Sequence, residues 1–526
     1  MRRPHLFWIA AWAAIGLSAC ATLPQRPSRP PDLDASKACA DWRWIGISRP
    51  GALCPEVSGW TVRPLFPQIP PPETDCSRKD EKVPDPEVFR ELNRFCVYER
   101  ASRHGSPSPP AASDLVRVDR DCAALSLSAA PLEASIAGPP FESFFEQVGK
   151  PPQPLKIDNW LGVRLAFLDT EPTHEGVPET MGNSAHGYVL SRIARKLVCT
   201  PEPVDHCAVQ IATRLALPML SFDAASPKRT RIDSKRGGFL GTQSDLASAI
   251  EGEVREWLVR KAQPHLVLNL SIAWDGRLFG GLDEAQISEM TAGTQAVYRA
   301  LEYAAGYDVL VLAAAGNQKR EPCASTGPLL PAAWERGGLG ESCRTSPGPL
   351  VYAVGGVDSA GNPVINARPG GMPPRAAFGQ VSDWGFVGSS VSTAVVSSIA
   401  ALVWDSFPDL DSHGVMKILE QSGEPLSYPP DFWFGSDAPA TAPFPKAHRI
   451  ALCTALQGAC KQHPGVPCPL QGACPDWTPD PSDVARNALV AVHRDGRMPG
   501  LGVCQPWLSP QPEDDPCLAC IKPPPQ

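Results

Sequence analysis

Short apolar runs that alternate with amphipathic helical patterns predict an α/β fold for this 526-residue chain, a doubly wound parallel sheet with Cys/Pro-rich extensions at both ends. Three observations carry the prediction. Segments 163–168, 209–220, 265–272, 309–315 and 350–355 are rich in apolar residues, as expected of strands covered on both faces. Between them, Leu246, Ile250, Val254, Trp257 and Leu258 share one helical face, and Val297, Leu301 and Ala304 share another. The 60 prolines fall mostly outside this stretch, in runs such as Pro70-Pro71-Pro72 and Pro523-Pro524-Pro525, where a fixed φ and a missing N–H favour extended chain.

A chain of this length exceeds one ordinary core and divides by composition. Arg2 and Arg3 precede an apolar stretch over 6–17, too short to cross a bilayer core of roughly 30 Å as a helix, so 1–19 is expected to be an export signal. Leu17-Ser18-Ala19-Cys20 resembles the bacterial lipobox, which implies acylation of Cys20 after cleavage and a membrane-anchored lipoprotein. With Ala21 rather than Asp after the cysteine, the outer membrane is the expected destination in a diderm bacterium. The mature chain is then divided into a Cys/Pro-rich N-terminal region at 20–150, a central unit at 151–430 and a Cys/Pro-rich tail at 431–526. Within the first of these, the pattern from 87 to 97 predicts a short helix.

Seventeen cysteines, less Cys20, leave an even set in a chain expected to reach an oxidising compartment, so disulfides are their expected fate. Cys517-Leu518-Ala519-Cys520 has the spacing of half a zinc site, but no second half at ligand spacing accompanies it, and no metal or cofactor is expected. The net charge of −8 becomes −10 once Arg2 and Arg3 leave with the signal, a balance that gives no basis for binding nucleic acid.

Chemistry concentrates in four short segments. Gly388-Ser389-Ser390-Val391-Ser392 opens an apolar helical pattern, and a serine presented there needs a base to take its proton, a task suited to histidine. His186, in Ser184-Ala185-His186-Gly187, opens a second helical pattern. Asp169 ends the apolar run that starts at 163, where a carboxylate can hold an imidazole in one tautomer and stabilise its charged form. Asn317 follows Ala313-Ala314-Ala315-Gly316 at the end of another apolar run.

This Asp, His, Asn, Ser order resembles the subtilisin-like serine proteases. The resemblance implies a serine endopeptidase with catalytic Asp169, His186, Ser390 and Asn317, acting on protein or peptide substrates through an acyl-enzyme. It further implies that Asn269-Leu270-Ser271-Ile272-Ala273 pairs with an extended substrate, with Ser271, Ala273 and Gly316 at the binding site. Members of the family often carry an N-terminal inhibitory segment, and residues 21–150 occupy that position, although their cysteines do not resemble the usual one. Several positions depart from the family pattern: Glu171 replaces a glycine, Tyr188 a threonine, and Ser389, Val391, Ser392 and Ala394 differ around the nucleophile. Asp169 precedes His186 by only 17 residues, so a strand between them is expected to be missing, and His174 in that connection lacks the helix-opening glycine. These departures motivate the alternative of a catalytically silent surface binding protein on the same fold. If Cys20 carries the anchor, Cys20→Ser should move the mature protein from the membrane pellet to the soluble fraction, because acyl chains contribute about 0.8 kcal/mol per buried CH₂.

Overall fold

The computed structural model describes residues 39–67, 84–100, 108–126, 141–150, 155, 162–176, 183–199, 207–220, 232–260, 262–276, 284–317, 327–336, 348–364, 366–368, 370–381, 386–426 and 447–474. Cys20 and the pair Cys517 and Cys520 lie outside them. The N-terminal part builds β1 (Cys39–Ser48), β2 (Thr61–Pro64), α1 (Pro86–Leu92), β3 (Phe95–Glu99) and β4 (Leu115–Ser126), whose strands are antiparallel in the order β4-β1-β3-β2. Asp85 caps α1, its carboxylate accepting from the Glu87 N–H at 2.7 Å. The helix expected over 87–97 stops at Leu92, because Phe95, Val97 and Tyr98 pair as β3 and suit a strand buried on both faces better than another helical turn.

The remainder is an α/β unit. Its elements are α2 (Phe141–Gln147), β5 (Val163–Asp169), β6 (His174–Glu175), α3 (His186–Val198), β7 (Gln210–Leu215), β8 (Leu240–Thr242), α4 (Gln243–Arg260), β9 (His265–Leu270), β10 (Ile272–Ala273), α5 (Ala292–Gly306), β11 (Leu310–Ala314), β12 (Tyr352–Val357), β13 (Arg375–Phe378), β14 (Gln380–Val381), β15 (Phe386–Val387), α6 (Ser389–Ser406), α7 (Ser412–Ser422), β16 (Glu424–Leu426), β17 (Ala447–Arg449) and α8 (Leu452–Gln462). Nine strands form one sheet in the order β16-β17-β13-β12-β11-β9-β5-β7-β6, parallel throughout except at its two outermost pairs. The two-residue strand β6 stands between Asp169 and His186, and its His174 is exposed at the sheet's edge.

Both faces of the sheet are covered, as the apolar strands require. On one side Leu168, Leu268 and Val311 pack with Ile250 and Val254 of α4 and Val297 and Leu301 of α5. On the other side Leu165, Phe167 and Leu312 pack with α3 and α6, and α7 and α8 join the same core. Elements beyond residue 430 therefore belong to this unit: β17 lies within the sheet and Leu456 of α8 within the core.

The N-terminal sheet packs on α4 and α5 through Ile45, Phe66, Phe95 and Val97. Two aspartates of β4 reach the helix starts. Asp121 accepts from the Ser244 N–H at 3.2 Å and its hydroxyl at 2.5 Å, and Asp119 accepts from the Ala292 N–H at 2.8 Å. Each satisfies a donor that the first turn leaves over and places negative charge at the positive end of a helix. Burial pushes Asp121 up to about 6, with buried Arg43, 3.7 Å away, pulling the other way. Five disulfides are described: Cys39–Cys122, Cys54–Cys96, Cys199–Cys207, Cys453–Cys474 and Cys460–Cys468. Each closes within its own region.

At the outer end of β5, fully buried Glu253 of α4 accepts from Arg164 Nε and from Arg214 Nε, both at 2.6 Å. Removing that carboxylate would take from buried Arg164 its shortest ion pair, leaving only the more exposed Glu175 at 3.3 Å and Glu256 at 3.9 Å. Glu253→Ala should destabilise the protein by about 3–5 kcal/mol, measured by chemical denaturation.

Candidate active site

A doubly wound sheet binds ligands in the crevice outside the carboxyl ends of its strands, and the segments singled out by sequence converge there. Strand β5 ends at Asp169, Ser271 follows β9, and Gly316 and Asn317 follow β11. Asp169 is buried, and its Oδ1 accepts from the Thr170 N–H at 2.7 Å and lies 2.8 Å from His186 Nδ1. This contact assigns Nδ1 as the donor and leaves Nε2 as the acceptor in the neutral ring. His186 Nε2 is buried and has no hydrogen-bond partner among the described residues.

His186 is the first residue of α3, and the turn around it is tied down locally. Thr170 Oγ1 accepts from the Gly187 N–H at 3.1 Å, and Ser184 Oγ accepts from the His186 N–H at 3.2 Å. The imidazole faces Phe386, with ring centroids 6.1 Å apart. Since Phe386 lies in the β14–β15 hairpin that leads into α6, one ring links the histidine to the serine-bearing turn.

Ser389 joins α6 to the loop after β11. Its N–H and hydroxyl both donate to Asn317 Oδ1, at 2.9 and 3.0 Å, and its oxygen accepts from the Gly316 N–H at 3.1 Å. With Oδ1 committed in this way, the amide donor Nδ2 is turned toward Gly388. Ser271 Oγ lies 3.2 Å from the Ser390 carbonyl oxygen and 3.0 Å from Asn269 Oδ1, while Asn269 Nδ2 donates to Ser397 Oγ at 3.1 Å. Ser392 donates to the Ala377 carbonyl at 2.8 Å. The small residues Ala273 and Ala314 pack with Leu329, so the space expected beside Ala273 and Gly316 has Leu329 in its wall.

Strand β10, expected to bind an extended substrate, already has a partner from its own chain. The end of β4 runs antiparallel between two strands: Ser126 lies opposite Ile272 and Leu125 opposite Ala273 of β10, while Ala123, Ala124 and Leu125 lie opposite Thr242, Gly241 and Leu240 of β8. Sequence reasoning did not find this strand, nor the parts played by Ser389 and Phe386. Glu171, noted only as a departure, is buried beside Asp169. Burial, followed by the charge of Asp169, pushes it up to about 8, and its Oε2 accepts from Ser191 Oγ at 3.3 Å.

No protein-family model matches the chain, and no curated protein matches it. Among solved structures, it is similar to the prenylagaramide maturation protease PagA at 19% identity over 57% of this chain and 94% of that one, with a TM-score of 0.35. Similarity to the MycP1 protease of the ESX-1 type VII secretion system is 16% identity over 63% and 88%, with a TM-score of 0.37. Sphericase gives 16% identity over 52% and 86%, with a TM-score of 0.33.

Gly388 has φ 150°, and a Cβ built on it would stand 2.3 Å from Asn317 Nδ2. Gly388→Ala should therefore displace the amide or the first turn of α6, lowering stability by about 1–3 kcal/mol in a denaturant titration.

Proposed function

We propose that this protein is an exported, lipid-anchored serine endopeptidase of the subtilisin-like kind, synthesised with its own N-terminal strand in the substrate cleft. The contact between Asp169 and His186 at the carboxyl end of the sheet, beside the start of α6, is the observation that carries the proposal. Ser390 is the nucleophile. Its neighbours Ser389 and Ser392 spend their hydroxyl donors on Asn317 and Ala377, which argues against either of them.

In the reaction, Ser390 Oγ attacks the substrate carbonyl while His186 Nε2 takes its proton, and Asp169 stabilises the imidazolium that results. Negative charge then develops on the carbonyl oxygen, where Asn317 Nδ2 and the Ser390 N–H donate to it. His186 returns the proton to the leaving amine, and water hydrolyses the acyl-enzyme through the same base. Protein or peptide substrates would bind as an extended strand along Ser271, Ile272 and Ala273, in the place now taken by the end of β4. Cys20 would anchor the protein as synthesised, with the outer membrane as destination, until a cut between the two units releases the catalytic one.

The occupied cleft also gives the silent-protein alternative its strongest support, since a permanently seated β4 would exclude substrate. One comparison separates the two. The active enzyme should shorten itself by cutting beyond Ser126, giving a new N-terminus between 127 and 140, and should label with a fluorophosphonate. Ser390→Ala should stay full-length and unlabelled while folding normally. A wild-type protein that remains intact and unlabelled would establish the silent reading.

A further inference from the structure

The Asp169 carboxylate uses only one of its oxygens. Oδ1 serves Thr170 and His186, while Oδ2 is buried with no hydrogen-bond partner among the described residues. Glu171, two residues on, presents the complementary picture: Oε2 accepts from Ser191, and Oε1 is buried with no partner among the described residues. Both side chains flank one point of the backbone. A Cβ built on Gly187 would stand 2.9 Å from Glu171 Cγ and 3.1 Å from Asp169 Cβ. Two buried carboxylates here would each carry an unsatisfied oxygen and repel the other, an arrangement that a single proton resolves.

We propose that Glu171 is a positioning residue that holds a proton on Oε1 and donates it, directly or through one water, to Asp169 Oδ2, bracing the carboxylate against His186. The inference rests on the proposed reaction and adds a fourth side chain to it. Burial and the neighbouring Asp169 favour the protonated form up to about pH 8. Of the groups around Glu171, the Ser191 hydroxyl favours the ionised form but is the smallest of the three influences; α3 also presents His186 and Gly187, while Arg192 of α3 lies over Tyr188 at 5.8 Å. On β7, Thr213 donates to the Pro172 carbonyl and Arg214 is committed to Glu253 and Glu256.

Ionisation of Glu171 removes the donor and adds a like charge beside Asp169. Fluorophosphonate labelling of the self-processed wild type should therefore slow as pH rises through this ionisation. Glu171→Gln keeps a neutral donor of the same shape and should lose that alkaline limb while labelling near the wild-type rate below it. Glu171→Ala, with no donor, should lower kcat for peptide roughly tenfold to a hundredfold with little change in KM, as expected of a slightly misplaced base. If Glu171→Gln keeps the wild-type alkaline limb, or Glu171→Ala reacts at the parental rate, the proposal is overturned and the serine reaction stands. Should Glu171→Ala fail to fold, the isosteric Gln variant decides. Infrared titration of the carboxylic-acid band gives an activity-independent answer: a protonated band in the wild type that is missing from Glu171→Gln supports the proposal, and its absence from the wild type overturns it. A wild type that shows the band but never labels would instead remove the reaction on which the bracing role rests.

Discussion

A helix buried on every side cannot slide, and α6 is such a helix. Its residues from Ser389 to Asp405 are all buried, with Val391, Val395, Ile399 and Trp404 packed among the sheet and the neighbouring helices. An apolar residue of this kind costs several kcal/mol to dislodge, so the start of the helix is fixed by the packing of its whole length. The turn containing Gly388, Ser389 and Ser390 inherits that position. Everything else at the crevice is set relative to it: Asn317 through Ser389, Ser271 through the Ser390 carbonyl, and His186 through Phe386.

Polar side chains tie separate elements together at several points of this protein. Ser389 joins the end of β11 to α6, Asp119 and Asp121 join the N-terminal sheet to α5 and α4, and Glu253 joins β5 to β7. Such ties are directional, and each fixes a distance that apolar contact alone would leave loose. Glu171 and Asp169 differ from these, since each has one oxygen bonded and the other buried without a partner among the described residues.

The parallel sheet was legible because strands covered on both faces must be apolar throughout, and runs such as 163–168 and 309–315 have few other uses. Asp169 and Asn317 stand at the ends of such runs, His186 and Ser390 open helical patterns, and the structure sets Asp169 against His186. The N-terminal sheet was not legible. On β4 the residues that face the helices include Asp119 and Asp121, while Val116 is exposed, so the strand inverts the alternation by which a half-buried strand is recognised. The partnership of Ser389 with Asn317 was equally hidden, because a contact between residues 72 positions apart leaves no periodic trace.

The end of strand β4 is hydrogen-bonded on both of its sides, to β8 and to β10. Withdrawing it would open a slot one strand wide with two facing rows of bare N–H and C=O groups, and backbone rows of that kind accept almost any extended chain. A molecule that loses its N-terminal unit while crowded among its own copies is thus exposed to cross-pairing and aggregation. Keeping the unit seated while copies are crowded protects solubility, whatever chemistry the crevice performs afterwards.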